Sequence, residues 1–68
     1  MELKEKIGII IKKRRKELNM EQVDVLDYAE IGSTTLSRLE KGKANITIDT
    51  LQKIVEVLGL EVIIRVKE

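Results

Sequence analysis

Gln22-Val23-Asp24-Val25-Leu26-Asp27-Tyr28-Ala29-Glu30-Ile31-Gly32-Ser33-Thr34-Thr35-Leu36-Ser37-Arg38-Leu39-Glu40-Lys41-Gly42-Lys43 is the stretch on which the reading of this chain turns. Val25, Leu26 and Ala29 share one side of a helix predicted over about residues 22–30. Leu36 and Leu39, three apart, share one side of another over about 33–41. Ile31 and Gly32 leave room only for a tight turn between them, and Ser33, Thr34 and Thr35 bring the hydroxyls that suit a helix start. Gly42 closes the second helix.

Working outward, Leu3, Ile7, Ile10, Ile11 and Leu18 recur at helical spacing and predict a first helix over about residues 2–18, with Arg14 on the same stripe where an apolar residue was due. Asn19 follows, a residue that tolerates the left-handed conformation just past a helix end. Downstream, Thr47 is the expected N-cap of a fourth helix over about 47–58, in which Ile48, Leu51, Ile54, Val55 and Leu58 keep the helical period until Gly59. Gly42 and Gly59 read as backbone terminators. From Leu60 the period changes to 2. Leu60, Val62, Ile64 and Val66 alternate with Glu61, Ile63, Arg65 and Lys67, which predicts a strand over 60–67. A lone strand leaves its backbone ladder unpaired, so a second copy of the chain is the expected partner, in a two-stranded antiparallel pair about a two-fold axis.

The 68 residues make one small domain, with no cysteine, histidine, proline, phenylalanine or tryptophan and one aromatic residue, Tyr28. A fold of this size leans on disulfides, a metal or oligomerisation, and the first two are not encoded. The same absence excludes a zinc knuckle, a thiol nucleophile and a Ser-His-Asp triad, so no enzyme, metal site or cofactor is expected. The longest apolar runs, Ile9 to Ile11 and Val62 to Ile64, are far below the ~20 residues of a membrane helix, which predicts a cytoplasmic protein with no membrane partner. Thirteen bases and twelve acids nearly cancel, yet the bases are gathered. Lys12, Lys13, Arg14, Arg15 and Lys16 form one run, and Arg38, Lys41 and Lys43 form a second around the single acid Glu40. Five consecutive residues sweep round a helix, so the first run cannot all face one duplex; Arg15, beside the apolar stripe, reads as an internal pair. Ile9, Val57 and Ile63 lie off the core stripes of their elements and suggest an extra apolar patch for a partner.

Two short helices on a tight turn, the second with small polar residues outside, describe a helix-turn-helix. In order and spacing, Arg14-Arg15-Lys16-Glu17-Leu18-Asn19-Met20-Glu21-Gln22, Ala29-Glu30-Ile31-Gly32 and Thr35-Leu36-Ser37-Arg38-Leu39-Glu40-Lys41-Gly42-Lys43 resemble the phage-repressor, or Xre/Cro-type, helix-turn-helix family over about residues 7–59. Four features depart from its pattern. Asn19 stands for a glycine, Glu21 for a Ser or Thr cap, Leu26 for an alanine where the helices cross, and Glu30 with Gly32 for the turn glycine and the serine cap. The resemblance implies an all-α, lambda-repressor-like four-helix domain, here with one C-terminal strand, and a DNA-binding transcriptional regulator. It implies that Gln22 meets a DNA phosphate and braces the recognition helix, that Ser33, Thr34 and Arg38, with Ser37 nearby, read base edges, that Lys43 meets the backbone, and that Arg15 and Glu40 form an internal salt bridge.

The residue chemistry agrees with that outline. Arg38 suits a bidentate contact to guanine, Ser and Thr hydroxyls bond more permissively, and exposed lysines such as Lys41 and Lys43 bind phosphates. The competing reading of Ser33, Thr34 and Ser37 is helix-start chemistry on a solvated surface. Lys43-Ala44-Asn45-Ile46-Thr47-Ile48-Asp49-Thr50-Leu51 and Leu58-Gly59-Leu60-Glu61-Val62 also look like the HipB-type branch, whose last strand pairs with its dimer mate. That branch implies an alternative, an antitoxin-type interaction module that neutralises a kinase-like toxin protein. The expectation is a homodimeric repressor bound to double-stranded DNA, with Leu60, Val62, Ile64 and Val66 as its dimer strand.

Overall fold

The computed structural model of the chain describes residues 2–67. Four helices follow one another: α1 Leu3–Glu17, α2 Gln22–Ala29, α3 Ser33–Glu40 and α4 Ile48–Val57. α3 packs chiefly on α1 and α2, and α4 on α2. The core between them is aliphatic throughout: Ile11, Val25, Ala29, Leu36, Leu39, Ile54 and Leu58 are buried. Ile7, Met20, Leu26, Ile31, Ala44, Ile46, Leu51, Val57 and Leu60 pack around it. Tyr28, the one aromatic residue, lies exposed on α2.

α1 buries only part of the face its apolar stripe predicts: Ile11 is buried and Ile7 packs on the core, but the rest of the stripe is not used. Leu3, Ile10 and Leu18 are exposed, while Gly8, Ile11 and Arg15 are buried. The reason is how closely α3 approaches. A Cβ on Gly8 would collide with the Leu39 carbonyl and stand 3.1 Å from both the Glu40 carbonyl oxygen and the Gly42 nitrogen. Gly42, with φ +74°, is more than a terminator: a Cβ there would come within 2.9 Å of the Glu5 Cα. Backbone contact therefore sets where α1 and α3 cross, and the apolar side chains on the flank of α1 are turned away from it. Arg14, the apparent gap in the stripe, has its own task. Its Nε donates to the Leu58 carbonyl oxygen at 2.9 Å, occupying one of the acceptors that the end of α4 leaves open.

The turns follow local chemistry. Asn19 takes φ +57° after α1. α2 starts at the N-cap Glu21, whose backbone N–H donates to Asp24 Oδ2 at 2.8 Å, so the acid three residues on supplies the reciprocal half of a capping box. Thr47 caps α4 as its position predicts, its hydroxyl accepting from the Thr50 N–H at 3.1 Å. The α2–α3 turn inverts the usual residues. Glu30 adopts the left-handed conformation at φ +56°, while Gly32 is the N-cap of α3 at an ordinary φ of −79° with no side chain to cap the N–H groups beyond it. The hydroxyls expected to open α3 lie one to three residues inside that start.

Residues 60–67, predicted as a strand, form no ladder within one chain, and no strand occurs among the described residues. Val62, Ile63, Ile64 and Val66 are exposed. Val57, by contrast, packs on the core and leaves the extra apolar patch, whereas Ile9 and Ile63 stay outside.

Candidate nucleic-acid interface

Ser33, Thr34 and Arg38 are exposed on the outer side of α3, with Ser37 half-buried beside them. Ser33 and Ser37, and Thr34 and Arg38, are pairs four apart and so lie one above the other on the helix surface. Lys41 and Lys43 continue the exposed surface past the end of α3. Arg38 Nη2 donates to the Lys43 carbonyl oxygen at 3.1 Å in solvent, tying the side chain to the backbone of the loop that follows.

Behind this surface lies a charged network. Arg15 Nε donates to Glu40 Oε2 at 2.7 Å and Arg15 Nη2 to Glu40 Oε1 at 3.0 Å, a bidentate fork between α1 and α3. Arg15 Nη1 reaches the Met20 carbonyl oxygen at 2.8 Å. Gln22, half-buried at the start of α2, donates from Nε2 to Glu40 Oε1 at 3.1 Å. Three helices are thus joined through one carboxylate. Burial pushes Glu40 up, but the hydrogen bonds from Arg15 and Gln22, with the charges of Arg15 and Lys12, outweigh it and hold the carboxyl below its ordinary value. The bond to Glu40 likewise raises the Arg15 guanidinium, against the opposing effect of burial. No buried side-chain polar atom among the described residues lacks a partner.

The basic run separates into distinct parts. Arg14 is committed to α4 and Arg15 to Glu40, while Lys12, Lys13 and Lys16 are exposed. Lys12 acts on the Glu40 carboxylate by charge, which puts it at the edge of the network. Reading the run as one block conceals that position; the signal is that Lys12 lies one turn before Lys16 and three residues before Arg15. Met20, whose side chain packs on the core, contributes to the network through its carbonyl, which no side-chain pattern reveals.

A family model described as Helix-turn-helix (HTH_3) matches residues 11–63, well over half of the chain. The chain belongs to this family, the Xre/Cro-type helix-turn-helix proteins, which are DNA-binding transcription regulators. Comparison with curated proteins returns no match. No helix among the described residues is long and apolar enough to cross a membrane.

Proposed function

We propose that the chain is a homodimeric repressor that binds a palindromic operator and blocks transcription by occupancy. The observation that carries this reading is the outer side of α3. It presents Ser33, Thr34 and Arg38 with no acid among them, and the helix behind them is held by the buried Arg15–Glu40–Gln22 network. Arg38 reads guanine through O6 and N7, giving up an exposed hydrogen bond to Lys43 worth about 1 kcal/mol net. Thr34 and Ser33 bond base edges or pack on a thymine methyl, and Ser37 supports them. Gln22, Lys41 and Lys43 meet phosphates and fix register without reading sequence. Gln22 suits both tasks, since one amide N–H braces Glu40 and its remaining N–H can face the duplex. A recognition face of hydroxyls and an arginine favours DNA over the toxin-neutralising alternative.

Selection of duplexes from a random library tests the reading. The expected product is an inverted repeat whose half-site centres lie about 34 Å apart, one helical turn. Against that duplex Arg38→Ala should cost about 1–3 kcal/mol and relax preference at one base pair, whereas Lys43→Ala should weaken selected and random duplexes alike. No enrichment over the starting library, or an unchanged ratio of selected to random binding for Arg38→Ala, overturns it.

A further inference from the structure

The single chain leaves two apolar sets uncovered, and they adjoin. One is the part of the α1 stripe that the core does not use. Leu3 and Ile10 are 71% and 53% exposed, and with Ile7 and Arg14 they follow the three- and four-residue spacing of one helix flank. At its lower end, Leu3 and Ile7 line an open groove of about 240 Å³ together with Leu51 of α4. Ile48, 82% exposed, lies one turn before Leu51. The other set is the tail, with Val62, Ile64 and Val66 between 60% and 93% exposed. Arg14 is where the two adjoin. Its Nε holds the Leu58 carbonyl and its Nη2 stands 3.5 Å from where a Cβ on Gly59 would be, so the tail leaves the fold beside the guanidinium of Arg14, a residue one turn from Ile10 on α1.

We propose that this flank of α1 and α4 is the platform on which the tail of a second copy lies; the inference rests on the homodimer reading above and names the surface that reading requires. A two-stranded ribbon is marginal in water unless one face packs on a helix or a further strand. In this tail Leu60, Val62, Ile64 and Val66 fall on one face, and Glu61, Arg65 and Lys67, with Ile63, on the other. Pairing satisfies the backbone of the ribbon but still leaves that aliphatic row to be covered. A second copy is the fitting occupant because it brings both the missing strand and, by two-fold symmetry, an identical flank for the other half of the row. The area matches too. Standard stable interfaces take about 800 Å² from each partner, and Leu3, Ile10, Ile48, Val62, Ile64 and Val66, all 53–93% exposed, supply an area of that order from each chain.

Sedimentation velocity of the full chain over a concentration series tests this. Ile10→Glu and Ile48→Glu each place a charge on the platform at positions that solvent already reaches in one chain, so helicity by circular dichroism should be unchanged. Each should raise the dimer dissociation constant at least tenfold, as should Ile64→Glu, while Val23→Glu, exposed on α2, should leave it unaltered. If Ile64→Glu weakens the dimer and neither Ile10→Glu nor Ile48→Glu does, the platform is overturned and the strand pairing stands. A wild-type chain that is monomeric at every concentration overturns both. Equal weakening by Val23→Glu overturns the platform by showing that any added charge suffices.

Discussion

Glu40 joins three helices through one carboxylate, and the energetics of that residue decide how rigidly α3 is presented. A buried ion pair is not in itself strongly stabilising, because desolvation offsets much of the attraction, but removal of one partner leaves the other charge buried and alone. Arg15 has its fork on Glu40 and one further bond to the Met20 carbonyl, so Glu40→Gln should cost about 3 kcal/mol or more of folding stability, at the lower end for a variant that keeps the side chain's shape. The pH dependence has a definite sign. The folded carboxyl titrates below its unfolded value of about 4.3, so its contribution is complete above that pH and is lost as pH falls through the lower, folded value. Thermal melts in a descending pH series should therefore show a steep loss of stability below about pH 4 that flattens in Glu40→Gln. Identical acid limbs for the two proteins would mean that other carboxylates carry the dependence. The pairing of Arg15 with Glu40 and a bracing role for Gln22 could be anticipated from the family pattern, but not that Glu40 itself would accept from Gln22 or that the Met20 carbonyl would complete the arrangement, since each depends on where a turn places the start of α2.

Among the elements, the α2–α3 turn and the α1–α3 crossing hold the clearest departures from local preference. Glu30 bears a left-handed backbone conformation that costs a side-chain-bearing residue about 1–2 kcal/mol, and Gly32 caps α3 with nothing. Exchanging them tests that inversion. Glu30→Gly relieves the backbone at the expense of an exposed 4.0 Å ion pair with Lys53, which is worth little, and Gly32→Ser adds a cap where a Cβ meets nothing within 4 Å. The double variant should gain about 1 kcal/mol in denaturant midpoint analysis after the larger chain entropy of glycine is counted. A loss would show that Glu30 is held by contacts other than that pair. Gly8→Ala should act in the opposite direction, losing about 1–3 kcal/mol as α1 is forced off the carbonyls of α3, with DNA affinity falling beyond what stability explains because the Arg15–Glu40 fork spans the same crossing. Unchanged stability in Gly8→Ala would mean that the helices yield freely at this point. These two sites also mark where the sequence ceases to be legible. Helical period, Thr47 and the glycines locate four helices because those signals are local. Which flank of α1 is buried is not wholly local: a scan for apolar side chains favours Leu3, Ile7, Ile10, Ile11 and Leu18, of which Ile11 is buried and Ile7 packs on the core, whereas the crossing also selects the residue with no side chain, Gly8, and a charged one, Arg15, whose partner lies 25 positions away.

At the scale of the whole molecule, a 38 × 22 × 20 Å body carries one recognition helix and a tail of exposed aliphatic residues. In the proposed dimer one recognition helix covers half of a palindrome, so operator affinity would depend on holding two copies at the right separation. Phosphate contacts give the non-specific part of that affinity. Were six made by the dimer, binding should fall about a thousandfold between 50 and 200 mM salt, and a salt-independent affinity would contradict the electrostatic account. In the same proposal the tail gives the part that depends on linkage. Leu60 packs on the core and its N–H bonds the Val55 carbonyl at 2.8 Å, so truncation after Leu60 removes the exposed segment while leaving the four helices intact. The truncated chain should sediment as a folded monomer with native helicity. On a full operator it should bind at least a hundredfold more weakly than the full chain, since the second half-site is no longer engaged at high effective concentration. On a single half-site duplex, where linkage contributes nothing, the two chains should bind within a few-fold of one another. Loss on both duplexes would place the tail in contact with DNA, and loss on neither would remove it from operator binding altogether.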